Sequence, residues 1–304
     1  MKKLTVFAFF LFFATVLNAQ KIEPALTTAT AALMPDSTEL RISNSIAYTL
    51  KDQEIFQKYM ADFSDKKNLP GNELLIQTAE YLLDTPYTNF TLEATAPAEN
   101  LIINLRELDC TTFTETVLAL VRTLKSGNPT FAQYADELRE IRYRDGKMDG
   151  FVSRLHYFSD WIYDNEKMDI VKDVTKQAGG QLFNVKAFLM SKVSKNYRQL
   201  VADSTLIEPI RKIEEKISRR KHYFIPKDAL KAGKIQDGDI LAMTTNGNGI
   251  EIMHMGFALK RDSTVYFIHA SSTGKCVMIT EEPFADYLKG LKRNTGFMIV
   301  RPVF

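Results

Sequence analysis

The sequence predicts an α+β fold whose strands form an antiparallel sheet. Three observations carry this. From Asn44 to about Arg220, apolar residues recur mostly at three- and four-residue steps, the period of helices. After His222 the chain turns to short apolar strands. Turn signals at Asp237-Gly238, Asn246-Gly247-Asn248-Gly249 and Arg261-Asp262 separate those strands.

The elements follow in order. The first twenty residues, MKKLTVFAFFLFFATVLNAQ, place two lysines before an apolar stretch from Leu4 to Leu17, then the small residue Ala19. This is the layout of a secretory signal peptide over residues 1–19. The stretch is short for a membrane span, which needs about 20 residues. The expected mature chain is therefore exported and periplasmic, without stable membrane insertion, and folds as a single domain over residues 20–304. Two helices are expected between about residues 44 and 84, parted by Pro70-Gly71. Thr85 to Asn100 reads as a loop. Phe113, Val117, Leu120, Val121 and Leu124 then make one helical stripe, closed by Gly127. Thr130–Arg142, Ser153–Asp164, Val185–Arg198 and Thr205–Arg220 read as helices. Strands are expected at His222–Pro226, Asp239–Thr244, Ile252–Leu259, Val265–Ala270, Val277–Thr280 and Phe297–Arg301.

Charge excludes one class of partner. The formal net charge is +2 and falls to 0 without Lys2 and Lys3, which gives no electrostatic reason for a nucleic-acid partner. The basic run Arg219-Arg220-Lys221 follows Glu214-Glu215 and reads as a solvated helix face.

The chain has two cysteines. Export would allow a Cys110–Cys276 disulfide, although a core of this size does not need one. Cys110 precedes the apolar helix in NLRELDCTTFTETVLALV. Asp109 can act as N-cap, or a Thr112–Glu115 capping box can start the helix slightly later. Either start puts the sulfur near the positive end of the helix dipole, which favours thiolate, the nucleophilic form. A buried structural cysteine is the alternative, and a nearby base would overturn it. His254, in EIMHMGFAL, shares a strand face with Ile252, Gly256 and Ala258, opposite Met253, Met255, Phe257 and Leu259. His269 lies on the next strand, and any even loop brings the two imidazoles to one face, directly or diagonally opposed. Cysteine, histidine and a second histidine would then serve as nucleophile, base and orienter. His222 begins a strand beside basic residues and reads as exposed. Arg154, His156, Tyr157, Asp160 and Trp161 fall on one expected helix, either as core or as the wall of a polar-ligand site. No cysteine and histidine positions have metal-ligand spacing, and no cofactor is expected.

The strings TPYTNFTLE, LRELDCTTFTE, MHMGFAL and FIHAS resemble NlpC-type cysteine peptidases, a papain-like superfamily of bacterial cell-wall hydrolases. NLRELDCTTF, RYRDG, SRLHYF-x-DW and IHASSTGK resemble more specifically a branch that acts as N-acetylmuramoyl-L-alanine amidases. The resemblance spans about residues 76–304. It implies a papain-like fold, with a catalytic helix packed on an antiparallel sheet or barrel and a helical insertion over about residues 127–221. It also implies Cys110 as nucleophile, His254 as base and His269 as orienting residue, with Tyr87 and Asp109 near the substrate. The implied reaction cleaves the amide between muramic acid and L-alanine in peptidoglycan fragments (muropeptides), by a monomeric enzyme. The alternatives are a γ-D-glutamyl-diamino acid endopeptidase of the same superfamily and a non-catalytic peptidoglycan-binding domain. Asn89-Phe90 and Thr111-Thr112 stand where the superfamily has Gly-Gly and Ser-Gly, so the site should differ in shape. The insertion is expected to wall one side of the cleft, with Arg154, His156 and Tyr157 lining it for sugar and lactyl recognition.

Overall fold

The computed structural model describes residues 36–304. The export segment over residues 1–19 lies outside the described residues. Residues 36–304 form one compact unit. Two short strands, β1 (Arg41–Ser43) and β2 (Ile46–Tyr48), precede the first helices, α1 (Leu50–Asp62) and α2 (Gly71–Tyr81). The first helix starts six residues later than its periodicity suggests. Thr49 caps it, with Asp52 returning the bond to the Thr49 N–H at 2.8 Å. Asp52 is fully buried, and its other oxygen accepts the Leu105 N–H at 2.8 Å and Arg106 Nε at 3.1 Å. One carboxylate thus ties the start of α1 to the segment that leads into the cysteine helix.

That segment carries β3 (Leu101–Ile102), which pairs parallel with β2, and runs into α3 (Cys110–Lys125). Asp109 is the N-cap: its Oδ1 accepts the Thr112 N–H at 2.8 Å, and Thr112 Oγ1 accepts the Asp109 N–H at 2.9 Å. The reciprocal box is therefore Asp109–Thr112, and Cys110 is the first helical residue. Glu115 instead pairs with Arg142 at 2.7 Å, both buried. The expected stripe on α3 is buried, but so is nearly every other residue between Thr112 and Leu124. α3 is a central helix, covered on one side by α4 (Phe131–Arg142) and on another by the sheet.

The insertion departs most from the periodic reading. A short turn, α5 (Gly150–Ser153), is followed by extended backbone, and α6 begins only at Phe158 and ends at Lys167. Arg154, His156 and Tyr157 are thus not helical, because their backbone leaves the helix at Arg154 to bridge Tyr143. Beyond α6 come β4 (Val171–Asp173), β5 (Gln181–Phe183), the single turns α7 (Leu189–Lys192) and α8 (Arg198–Ala202), and α9 (Ile207–Arg219). Phe151, Tyr157, Val185, Met190, Ile210 and Ile217 give this part a small core of its own.

The remaining strands are β6 (His222–Pro226), β7 (Ile240–Thr245), β8 (Ile252–Arg261), β9 (Thr264–Ser271), β10 (Cys276–Ile279) and β11 (Asn294–Pro302), with α10 (Phe284–Gly290) before the last. They form an open antiparallel sheet in the order β10-β9-β8-β7-β11-β6-β5, with β4 on β11. No barrel closes among the described residues. One face packs on α3 through Met255, Phe257, Ile268 and Val300. The other packs through Met243, Ala258, Phe267 and Phe297 against α10, which carries Phe284 and Leu288. His222 is buried, with Nε2 2.8 Å from the Ile217 carbonyl oxygen, and not exposed as its basic neighbours suggest.

Candidate active site

β8 and β9 turn at Asp262-Ser263, because Arg261 pairs with Thr264. This register sets His254 and His269 diagonally on one face, where His254 Nε2 lies 2.6 Å from His269 Nδ1. Gly256 makes the approach possible. A Cβ there would meet the Ile268 carbonyl oxygen at 2.3 Å and the His269 Cβ at 2.9 Å. The bare face beside His254 is filled by the neighbouring strand.

A bulge lies next to His254: Met243 pairs with His254, but Thr244 pairs with Ile252, so Met253 is extra. The bulge reverses the alternation, and Ile252 joins Met255 in the α3-facing core although its spacing put it beside His254. Met253 is left exposed at the mouth of the site. Only Met253 and Cys110 line both adjoining cavities. One cavity, of about 190 Å³, is lined by Cys110, His254, His269, Tyr87 and Tyr287. The other, of about 280 Å³, is lined by Cys110 and insertion residues that include His156, Tyr157 and Tyr197, together with Glu251.

Cys110 is half-buried and in no disulfide, as is Cys276. Burial and then the Asp109 carboxylate push its thiol up to about 12, with the Met255 backbone and the Thr111 side chain and backbone opposing. Burial thus disfavours the thiolate that a helix start alone would favour. Burial and then His269 hold His254 down to about 3, and burial holds His269 down to about 4. The resting pair is a neutral thiol and a neutral imidazole, so a proton must leave the sulfur as it attacks.

Tyr87 is fixed between two elements. Its N–H donates to the Lys275 carbonyl oxygen at 2.9 Å, and its hydroxyl donates to Asn89 Oδ1 at 2.8 Å. Asp109 spends its carboxylate on the helix cap. His156 lies in the larger cavity's wall with Nε2 2.7 Å from the Phe151 carbonyl oxygen, and burial holds it down to about 3. Tyr157 donates to Glu214 Oε1 at 2.6 Å and accepts the Met190 N–H at 3.2 Å. Arg154 is placed otherwise than its assignment to the cleft requires. Its guanidinium is buried, 2.8 Å from Glu93 and 3.6 Å from Glu99, and it lines neither cavity. Trp161 is fully buried beside Phe158 and belongs to the core. Tyr287, Met253 and Glu251 escape the sequence reading. Tyr287 lies on α10, whose Phe284–Leu288 spacing after Pro283 is a signal that could have found it.

Fold and cleft define a mixed α+β protein with a cysteine and two histidines in one cavity. A model of the N-acetylmuramoyl-L-alanine amidase-like (AmiA-like) family matches residues 77–296, and the chain belongs to that family. Its function is accordingly amidase-like, on the bacterial cell wall. The fold is similar to that of a crystallised N-acetylmuramoyl-L-alanine amidase from Bacteroides uniformis ATCC 8492, with 37% identity and a TM-score of 0.73 over 77% of this chain and 99% of that one. A Bacteroides fragilis protein that carries a provisional xylanase name has 35% identity and a TM-score of 0.70, over 74% and 99% of the two chains. A Legionella pneumophila protein, 19% identical with a TM-score of 0.62 over 83% and 96% of the two chains, shares the fold alone. No curated protein matches the chain. No helix among the described residues is long and apolar enough to cross a membrane.

Proposed function

We propose that this protein is an exported, periplasmic, papain-like enzyme that hydrolyses the amide between the lactyl group of N-acetylmuramic acid and L-alanine. The observation that carries this reading is the shared cavity of Cys110 and His254, with His269 Nδ1 2.6 Å from His254 Nε2. That contact leaves His254 Nδ1 to take the thiol proton as Sγ attacks the amide carbon. The Cys110 N–H, at the positive end of α3, has no hydrogen-bond partner among the described residues and can donate to the developing oxyanion. His254 then gives the proton to the alanine nitrogen, which leaves as an amine. Water loses a proton to His254 and attacks the thioester carbon; the lactyl carboxylic acid departs, and the proton returns to sulfur. His269 holds the imidazole in place throughout.

The test is mass spectrometry of defined muropeptides after incubation with wild type and with Cys110→Ala. Free sugar and intact stem peptide are expected from wild type and neither from the variant. Release of the diamino acid from a sugar-free stem peptide would replace this reading with the endopeptidase.

A further inference from the structure

Glu251 lies between β7 and β8, ahead of His254, and is only 3% exposed. Its Oε1 accepts the Ser159 N–H, in the first turn of α6, at 2.9 Å. Glu251 also lines the larger cavity, where it is the only acidic residue. No lysine or arginine lines that cavity, and His156, held down to about 3, is neutral there at pH 7. Arg154 faces Glu93 and Glu99 instead. Burial raises the Glu251 carboxyl, and the Ser159 N–H, the Ser159 hydroxyl and the backbone N–H groups of Glu251 and Ile252 counter it; the N-terminus of α6 also favours the ionised form. Apart from Cys110 and Thr111, the rest of the wall is apolar or aromatic, with Tyr157 fixed by Glu214. Such a pocket suits a neutral ligand with one donor group to offer, and it disfavours an anion.

We infer that Glu251 determines specificity on the acyl side of the scissile bond, accepting a hydrogen bond from an N–H or O–H of the sugar and repelling an anion. This rests on the amidase reading above. Hydrolysis turns the neutral lactyl amide into a carboxylate, so the residue that favours the substrate also disfavours the sugar product. Tight substrate binding and rapid product loss then come from one side chain.

Glu251→Gln isolates the charge, because the amide oxygen can still accept the Ser159 N–H. For muramyl dipeptide, KM is expected to rise about tenfold while kcat stays within about twofold. The inhibition constant of N-acetylmuramic acid is expected to fall severalfold. In the Cys110→Ala background, calorimetry should show the same weakening for muramyl dipeptide without turnover. Opposite shifts for substrate and product cannot come from a loosened wall, which would weaken both. Unchanged constants would reduce Glu251 to a cap on α6, and parallel losses would make it a wall residue only; either result overturns the inference while wild-type cleavage of muramyl dipeptide keeps the amidase reading. A wild type that neither binds nor cleaves muramyl dipeptide, but cuts a stem peptide with a free amino terminus, would overturn both and make Glu251 an ammonium site.

Discussion

At the scale of single residues, the two histidines have unequal surroundings and should fail differently. His254 shares the thiol's cavity and has its Nε2 bonded to His269, so His254→Asn removes the base and is expected to lose activity as fully as Cys110→Ala. His269 meets His254 through Nδ1 and is held by Phe267 and Tyr287, and His269→Asn leaves a side chain that can still bond to imidazole. Partial activity, measurable as kcat, is expected there; equal losses at both positions would contradict the division of roles. Gly256→Ala should be nearly as damaging although it touches no reacting group, because its Cβ would sit 2.3 Å from the Ile268 oxygen and drive β9 and His269 away. A cost of about 1–3 kcal/mol in stability is expected from such overpacking, read by urea unfolding beside the activity assay. The neutral resting pair also shapes the pH profile. With His254 held down to about 3 and the thiol up to about 12, kcat/KM should show no acid limb near the usual imidazole value of about 6.5. A limb at that pH would mean that the imidazole titrates as if solvated.

At the scale of elements, what the sequence revealed depended on how local the signal was. Cys110 at a helix start, His254 and His269 on adjacent strands, and the positions of most strands in the C-terminal half all rest on spacings within a few residues, and those were legible; the place of β11 between β7 and β6 was not. Arg154 to Tyr157 were not, because the helical period there competes with pairing to Tyr143, a contact no local pattern announces. The Met253 bulge is equally silent in sequence, since it exists only against β7. Asp52 shows the same limit from another side. Its capping role can be read from Thr49, but its bonds to Leu105 and Arg106 cross more than fifty positions. Asp52→Ala should therefore cost more than the loss of an ordinary cap, about 2 kcal/mol or more, since a buried Leu105 N–H is also orphaned. Thr49→Ala removes only the cap and should cost about 1 kcal/mol. Unfolding midpoints of the two variants check the difference; equal losses would mean that the link to the Cys110 segment contributes nothing.

At the scale of the whole molecule, all four histidines are held below their ordinary value, burial being the first cause at each, although they sit in the insertion, on β6 and in the cleft. The consequence is a shared acid sensitivity. Each imidazole binds a proton near pH 6.5 when unfolded but not when folded, so between about 6.5 and the depressed native value the unfolded state holds more protons. Stability is therefore full above about pH 6.5 and falls as the pH drops below it, toward about 3 for His156 and His254 and about 4 for His269, by at most about 1.4 kcal/mol per pH unit for each histidine. Buried carboxyls act the other way: Glu115, Glu251, Glu99 and Asp173 are raised by burial, and protonating them on acidification favours the folded state. The net slope mixes the two, so the histidine part must be isolated by difference. His156→Gln keeps a donor for the Phe151 carbonyl oxygen but cannot gain charge. The stability of this variant relative to wild type, from urea unfolding at pH 7.5, 6, 5 and 4, is expected to rise steadily as the pH falls. A difference that stays constant across those points would mean that His156 titrates alike in the folded and unfolded chains, and that burial in the insertion does not govern its charge.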